Sequence, residues 1–180
     1  MSDSELTVVN LVASGELGIG EIDTDQLSHD IQVSDCTSQS GRLYLRPKKH
    51  PTITIYRSGN FTVAGSRSLQ EVESSILWLK TSLEELGIQI SKSRVNGSVS
   101  VEFMVLQGDL GIHIDLEEVL ETLTGRTEYE PEQFPAIIYH PNFDDCTVTI
   151  FSTGKVSITG VRRKDQAEKI YDHLKSTLTP

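Results

Sequence analysis

The residue types that most often carry catalysis or hold a metal are present in this chain, but their spacing supports neither. His29, His50, His113, His140 and His173 are scattered and show no metal-ligand spacing. Cys36 and Cys146 lie far apart in polar, loop-like stretches and read as two unrelated free thiols. Asp144 and Asp145 form a single acidic pair in a turn, where solvation is the simpler account. There is no glycine-rich phosphate loop, no nucleophile elbow and no HExxH. The expectation is a non-enzymatic protein with no metal site and no cofactor.

A non-covalent chemistry is written more clearly, in the alternation of two short segments. In residues 52–65, Ile53, Ile55, Phe61 and Val63 fall on one side, and Thr54, Tyr56, Thr62 and Ala64 on the other. In residues 147–160, Val148, Ile150, Val156 and Ile158 alternate with Thr149, Phe151, Ser157 and Thr159. The aliphatic side suits packing under helices. The other side is small and hydroxylated, with single aromatics and no charge. A solvated sheet face would normally carry Lys and Glu; a platform that meets something flat and partly apolar would exclude them, and the absence of charge favours the platform.

The two segments are copies. Adding 95 to each number carries Thr52, Tyr56, Gly59 and Gly65 to Thr147, Phe151, Gly154 and Gly160. The same offset carries Val72, Ile76, Leu79 and Leu83 to Ala167, Tyr171, Leu174 and Leu178. Gly15 and Gly18 map to Gly108 and Gly111 by adding 93, and Ile22-Asp23 to Ile114-Asp115 by adding 92, as loop insertions and deletions would produce. The chain therefore divides into repeat 1 at 6–87, a linker at 88–98 and repeat 2 at 99–178.

Each repeat reads as strand, short helix, several strands and long helix. Residues 6–14 and 99–107 are rich in β-branched and aliphatic residues. Asp23 with Gln26, Asp115 with Glu118, and Ser68 with Glu71 have the spacing of capping boxes at helix starts. The short helices carry Leu27 and Ile31, or Val119, Leu120 and Leu123. Ser58-Gly59-Asn60 and Thr153-Gly154-Lys155 sit between alternating runs and read as hairpin turns. Val72, Ile76, Leu79 and Leu83 have the period of one buried helix face.

Charge pulls the other way from a nucleic-acid role. Net charge is −10, with 26 acidic against 16 basic residues. Phosphate binding normally rests on basic surface. The acid could instead keep most of the surface soluble while one non-acidic face is kept for a partner. In a cytoplasm of molar salt the repulsion would be screened to about 3 Å. Composition leaves these readings open. Arg42, Arg46, Lys48, Lys49 and His50 cluster in the first-repeat hairpin, either to touch phosphate or as a solvated turn. No apolar run has membrane length and the N-terminus is not signal-like, so the expectation is a soluble, cytoplasmic protein, nucleoid-associated if it binds DNA.

Three segments, in this order and repeat phase, resemble motifs of the TATA-box-binding protein (TBP) family of archaeal type. They are Val9-Asn10-Leu11-Val12-Ala13, Tyr129-Glu130-Pro131-Glu132-Gln133-Phe134-Pro135, and Ile150-Phe151-Ser152-Thr153-Gly154-Lys155. The resemblance covers essentially the whole chain. It implies an α+β fold in which two pseudo-symmetric repeats form a saddle-shaped curved antiparallel sheet with helices on the convex face. It also implies a general transcription initiation factor that binds the minor groove of A·T-rich promoter DNA. In the family, phenylalanines push between base steps and unstack them, and small side chains meet the groove floor.

Carried over residue by residue, the resemblance is uneven. In the second repeat it implies Phe134 and Phe151 as wedges, Val105, Thr149 and Thr159 facing the groove, and Lys155 and Arg162 near phosphate. In the first repeat it implies Asn10 and Val12 at groove positions and Arg67 at the rim. Tyr56 stands there in place of one wedge and Ser40 in place of the other; Phe103 replaces the second repeat's Asn and Ala64 the first repeat's Thr. The resemblance thus implies asymmetric binding, stronger at the second-repeat end. It further implies partners: double-stranded promoter DNA, transcription factor B through Glu130, Glu132 and Gln133, and the RNA polymerase initiation complex. Internal pseudo-symmetry makes a monomer sufficient, with a weak homodimer as the other possibility. The alternative functions are a TBP-like paralogue with weak DNA binding, acting as a regulator or adaptor, and a recognition module for a DNA-processing enzyme.

Overall fold

The structure is a computed structural model, which describes residues 6–33, 35–90, 95 and 98–178. Most of the expected linker's residues 91–97 lie outside the described set. Among the described residues, the elements with both ends described are, in chain order, β1 (Thr7–Glu16), α1 (Thr24–Asp30), β2 (Cys36–Gln39), β3 (Arg42–Leu45), β4 (Thr52–Tyr56), β5 (Asn60–Ser66), α2 (Leu69–Glu85), β6 (Ser100–Asp109), α3 (Leu116–Leu120), β7 (Gly125–Glu130), β8 (Phe134–Pro141), β9 (Thr147–Phe151), β10 (Lys155–Val161) and α4 (Lys164–Leu178). The chain falls into two compact units, one of residues 10–102, the other of residues through Val9 together with Phe103 onward.

In the unit of residues 10–102 the strands run in the order β2-β3-β4-β5-β1, all antiparallel. Ile53, Ile55, Phe61 and Val63 are fully buried on one face, joined by Leu43 and Leu45 of β3. They meet Val72, Ile76, Leu79 and Leu83, the buried stripe of α2. Burying a Leu or Ile side chain contributes roughly 1.5–3 kcal/mol, so this layer carries most of the unit's stability. The other unit repeats the plan as β6-β10-β9-β8-β7. There Val148, Ile150, Val156 and Ile158 are buried with Ala167, Ile170, Tyr171 and Leu174 of α4.

The hairpin glycines show why the copies stay alike. Gly59 and Gly154 both have φ of +84°. Each turn is docked on the loop that follows the unit's first long strand. The Leu17 N–H donates to the Gly59 carbonyl at 2.9 Å, and the Leu110 N–H to the Gly154 carbonyl at 2.9 Å. Ile22 and Ile114 donate in the same way to Arg57 and Ser152, each at 2.8 Å. A Cβ at Gly59 would stand 2.5 Å from the Gly20 carbonyl oxygen, and one at Gly154 would stand 2.2 Å from that of Ile112. Only glycine meets both the positive φ and the close backbone approach.

Some expectations need correction. Asp23, Asp115 and Ser68 do cap their helices, accepting from the N–H groups of Gln26, Glu118 and Glu71. Reciprocal bonds to the cap residue's own N–H are not made among the described residues. The Gln26 amide donates to Asp30 instead, and the Glu71 carboxylate accepts from the Arg67 N–H. Cys146 lies in the loop immediately before β9, but it is buried there, 6% exposed. Cys36 begins β2 and is half-buried. The two thiols are free. No helix is long and apolar enough to cross a membrane.

Candidate nucleic-acid interface

The open sheet face of each unit follows from strand register. In the unit that includes residues 103–178, Ala136 of β8 lies opposite Phe151 of β9. Phe134, two residues earlier, is therefore on the same face. The two rings meet edge to face, centroids 6.1 Å apart and planes at 70°. Phe134 is 43% exposed. A large apolar ring held that far out by a second aromatic is a side chain prepared for contact rather than for the core.

From this pair the face continues through hydroxyl groups. Thr149 lies opposite Ser157 on one side and Ile138 on the other. Thr159 lies opposite Thr147 and, across β6, Val105. A shallow cavity of about 520 Å³ opens beside Phe151, walled by Gln107, Lys155 and Ser157. Lys155 is exposed and makes no ion pair among the described residues. Arg162 is exposed just beyond β10, its N–H donating to the Gln166 side chain at 3.1 Å. The freedom from charge stops at the edge strand: Arg126 and Glu128 lie opposite His140 and Ile138 and pair with each other.

The unit of residues 10–102 builds the same place differently. Tyr56 takes the position of Phe151, with Arg42 opposite it where the other unit has Ala136. The guanidinium carbon of Arg42 sits 5.7 Å from the Tyr56 ring centroid. Ser40, two residues before Arg42, occupies the place of Phe134; it has φ of +52° and forms the β2–β3 turn with Gly41 at +71°. A cavity of about 400 Å³ lies beside Tyr56, walled by Ser14, Thr62 and Ser98, in the counterpart position to the one beside Phe151. Thr54 is only 9% exposed, because Tyr44 and Thr62 flank it on the neighbouring strands. Tyr44 and Arg42 thus belong to this face although the alternation of residues 52–65 did not point to them. Their own alternation with the buried Leu43 and Leu45 is the signal that would have found them.

Asn10 and Val12 sit at a β-bulge. Leu11 pairs with Ser66 and Val12 with Ala64, leaving Gly65 (φ +94°) as the extra residue. The Gly65 N–H donates to the Asn10 side-chain oxygen at 3.1 Å. That bond fixes the amide so that its NH₂ remains as the donor, which suits a groove floor that offers only acceptors at A·T pairs. Beside β6 the bulge recurs at Gly160 (φ +100°), but the counterpart of Asn10 is Phe103, which has no acceptor.

The remaining residues sit at the rim. Arg67 is exposed after β5, and its side chain makes no ion pair among the described residues. Of the expected basic cluster, Arg46 pairs with Asp35 at 3.1 Å and His50 stacks on Trp78 of α2 at 5.6 Å. The cluster is therefore divided, with Arg42 over Tyr56, Arg46 paired with Asp35 and His50 against α2. Glu130 lies opposite Phe134 across the β7–β8 turn. The Gln133 N–H donates to the Glu130 carbonyl at 2.9 Å and its side-chain amide to the Glu130 carboxylate. Glu132 is exposed at the tip, so an acidic turn flanks the exposed ring.

Among the described residues no group of three His, Cys, Asp or Glu could hold a metal ion. Each face by itself offers hydroxyl groups beside an aromatic position, with one oriented amide in the unit of residues 10–102 and a few cations at the margins. A sequence model described as "Transcription factor TFIID (or TATA-binding protein, TBP)" matches residues 5–86 and again 98–179. The chain is similar to the TATA-box-binding protein of Methanothermococcus thermolithotrophicus, 33% identical over 98% of this chain and 95% of that protein. It is also similar to TATA-box-binding protein B of Halobacterium salinarum, 30% identical over 96% of this chain and 92% of that protein. Among solved structures it resembles Methanococcus jannaschii TBP with a TM-score of 0.82 and 30% identity, covering 96% of each chain. Both the α+β class and the two-repeat plan follow from these matches.

Proposed function

The chain belongs to the TATA-binding protein family, and on that premise we propose that it is a promoter-recognition factor for transcription initiation. It holds A·T-rich DNA through the minor groove and bends it by inserting Phe134 and Phe151. The observation that carries this reading is the edge-to-face pair of those two rings, Phe134 exposed and Phe151 half-buried, beside a hydroxyl-bearing stretch of sheet free of charge. Unstacking a base step costs roughly a few kcal/mol, and two apolar rings at one end offer the contacts that offset it.

The other residues divide into two tasks. Asn10, Val12, Val105, Thr149 and Thr159 meet the groove floor, with the Asn10 NH₂ donating to A·T acceptors. Arg67, Lys155 and Arg162 meet phosphates at the rim and fix register without reading sequence. Tyr56, already covered by Arg42, stacks rather than wedges, so the bend is asymmetric. Glu130, Glu132 and Gln133 form the acidic site that recruits transcription factor B and through it the RNA polymerase initiation complex. A competition assay tests the reading: labelled A·T-rich duplex should be displaced by unlabelled A·T-rich duplex at far lower concentration than by G·C-rich duplex. Equal displacement by both would contradict it. The adaptor reading is favoured by one observation, Ser40 standing where the other unit has Phe134, and it requires that both duplexes bind only weakly.

A further inference from the structure

The helix side of the unit of residues 10–102 carries a groove of about 660 Å³, lined by Leu69, Val72, Ile76 and Leu77 from α2 and by Ala13 and Val101 from β1 and β6. Leu69 and Leu77 are 54% and 64% exposed. Positions 69, 72, 76 and 80 recur at helical spacing, so the apolar stripe runs about 16 Å, three turns of α2. Lys80 closes one end of it. This lysine is only 6% exposed, and it makes no hydrogen bond or ion pair among the described residues.

The chain supplies its own control. The counterparts of Leu69, Leu77 and Lys80 on α4 are Lys164, Asp172 and Lys175. Lys164 pairs with Glu168 at 3.9 Å, and the Lys175 ammonium lies 5.9 Å from the centre of the Tyr171 ring. The same helix in the same architecture thus folds with a charged, self-paired outer face. Leu69 and Leu77 thus stand where the other repeat carries charge, and Lys80 has Ile76 where its counterpart has an aromatic ring.

We propose that this groove docks an amphipathic helix of a partner protein, with an aliphatic stripe against Leu69 and Leu77 and one carboxylate reaching Lys80. The three-turn length suits a helix better than a compact ligand. Lys80, on the groove lining, offers a cation to an anion from outside. Glu73, on the groove wall, selects against a helix that is acidic along its whole length. A second copy of this chain is a poorer occupant, because two chains of net charge −10 repel. The site lies on the helix side and does not depend on DNA binding.

The test uses the full chain and a labelled helical peptide of about eighteen residues with leucines on one face and a single glutamate in that stripe, read by fluorescence anisotropy. A second peptide has glutamine in place of the glutamate. The glutamate peptide should bind. The double change Leu69→Lys with Leu77→Asp, which copies α4, should weaken it about tenfold or more. Leu77→Asp alone should weaken it in the same direction, which serves if the double variant does not fold. Lys80→Met should weaken the glutamate peptide about fivefold and leave the glutamine peptide unchanged. Absence of binding, or equal binding by wild type and the α4-like variant, would overturn the proposal. So would a wild-type dimer in sedimentation equilibrium that the double change dissolves, since it would give the groove to a second copy.

Discussion

The ring of Phe134 meets that of Phe151 edge to face at 6.1 Å, and at the matching place in the other unit Arg42 covers Tyr56 at 5.7 Å. The same strand register holds a pair of phenylalanine rings in one unit and a cation on an aromatic face in the other. An insertion that needs an apolar ring without a cation over it is available in one unit only. Phe134→Ala should therefore lower affinity for A·T-rich duplex by about 1–3 kcal/mol, the scale of base unstacking. It should leave the melting temperature nearly unchanged, since the ring is already 43% exposed. Tyr56→Ala should cost much less affinity. Binding titrations and thermal melts on the same preparations check both.

Asn10 makes a different kind of contact. Its side-chain oxygen is held by the Gly65 N–H, so the amide presents a donor. Asn10→Ala should reduce discrimination between A·T and G·C duplexes by about 1–3 kcal/mol and cost about 0.5–1 kcal/mol of stability. Phe103→Asn places an acceptor beside the second bulge at Gly160 and should sharpen the same discrimination. Competition titrations with the two duplexes measure the change.

Salt dependence separates rim from floor. The slope of log affinity against log salt is about −0.9 for each phosphate neutralised. Lys155→Ala should make that slope shallower by about one while weakening A·T-rich and G·C-rich duplexes alike. Thr149→Ala should leave the slope unchanged. With a net charge of −10, binding should also require more salt than is usual for a DNA-binding protein, because general repulsion must be screened first.

Burial pushes the Cys146 thiol up to about 12, with the carboxylates of Asp144 and Asp145 adding to it. The neutral thiol is therefore the form the fold prefers. Its contribution to stability is present below the ordinary thiol range near 9 and is lost as pH rises from there towards 12. Cys146→Ala should flatten the fall in melting temperature over that alkaline window. In the native protein Cys146 should also resist alkylation at pH 8.5 and react only on denaturation.

The strand alternation, the hairpin glycines and the helix stripes were legible because each is a local pattern, and the 95-residue repeat supplied each one twice. Less legible was anything set by pairing across strands. Thr54 is buried by Tyr44, which lies ten residues away in sequence. Arg42 finds Tyr56 only through the β3–β4 register. Arg126 and Glu128 bring charge to the sheet edge because β7 pairs with β8. Cys146 sits among polar neighbours in sequence, yet it is buried in the fold. The basic residues of the first-repeat hairpin share a segment but not a partner, since Arg46 pairs with Asp35 and His50 stacks on Trp78.

The most direct measurement is DNA bending. An A·T-rich promoter duplex labelled at both ends for energy transfer is titrated with the protein from dilute to molar potassium chloride. Saturable bending is expected, strongly reduced by Phe134→Ala or Phe151→Ala and little changed by Tyr56→Ala. Bending that survives both phenylalanine changes, or none at any salt, would contradict the account.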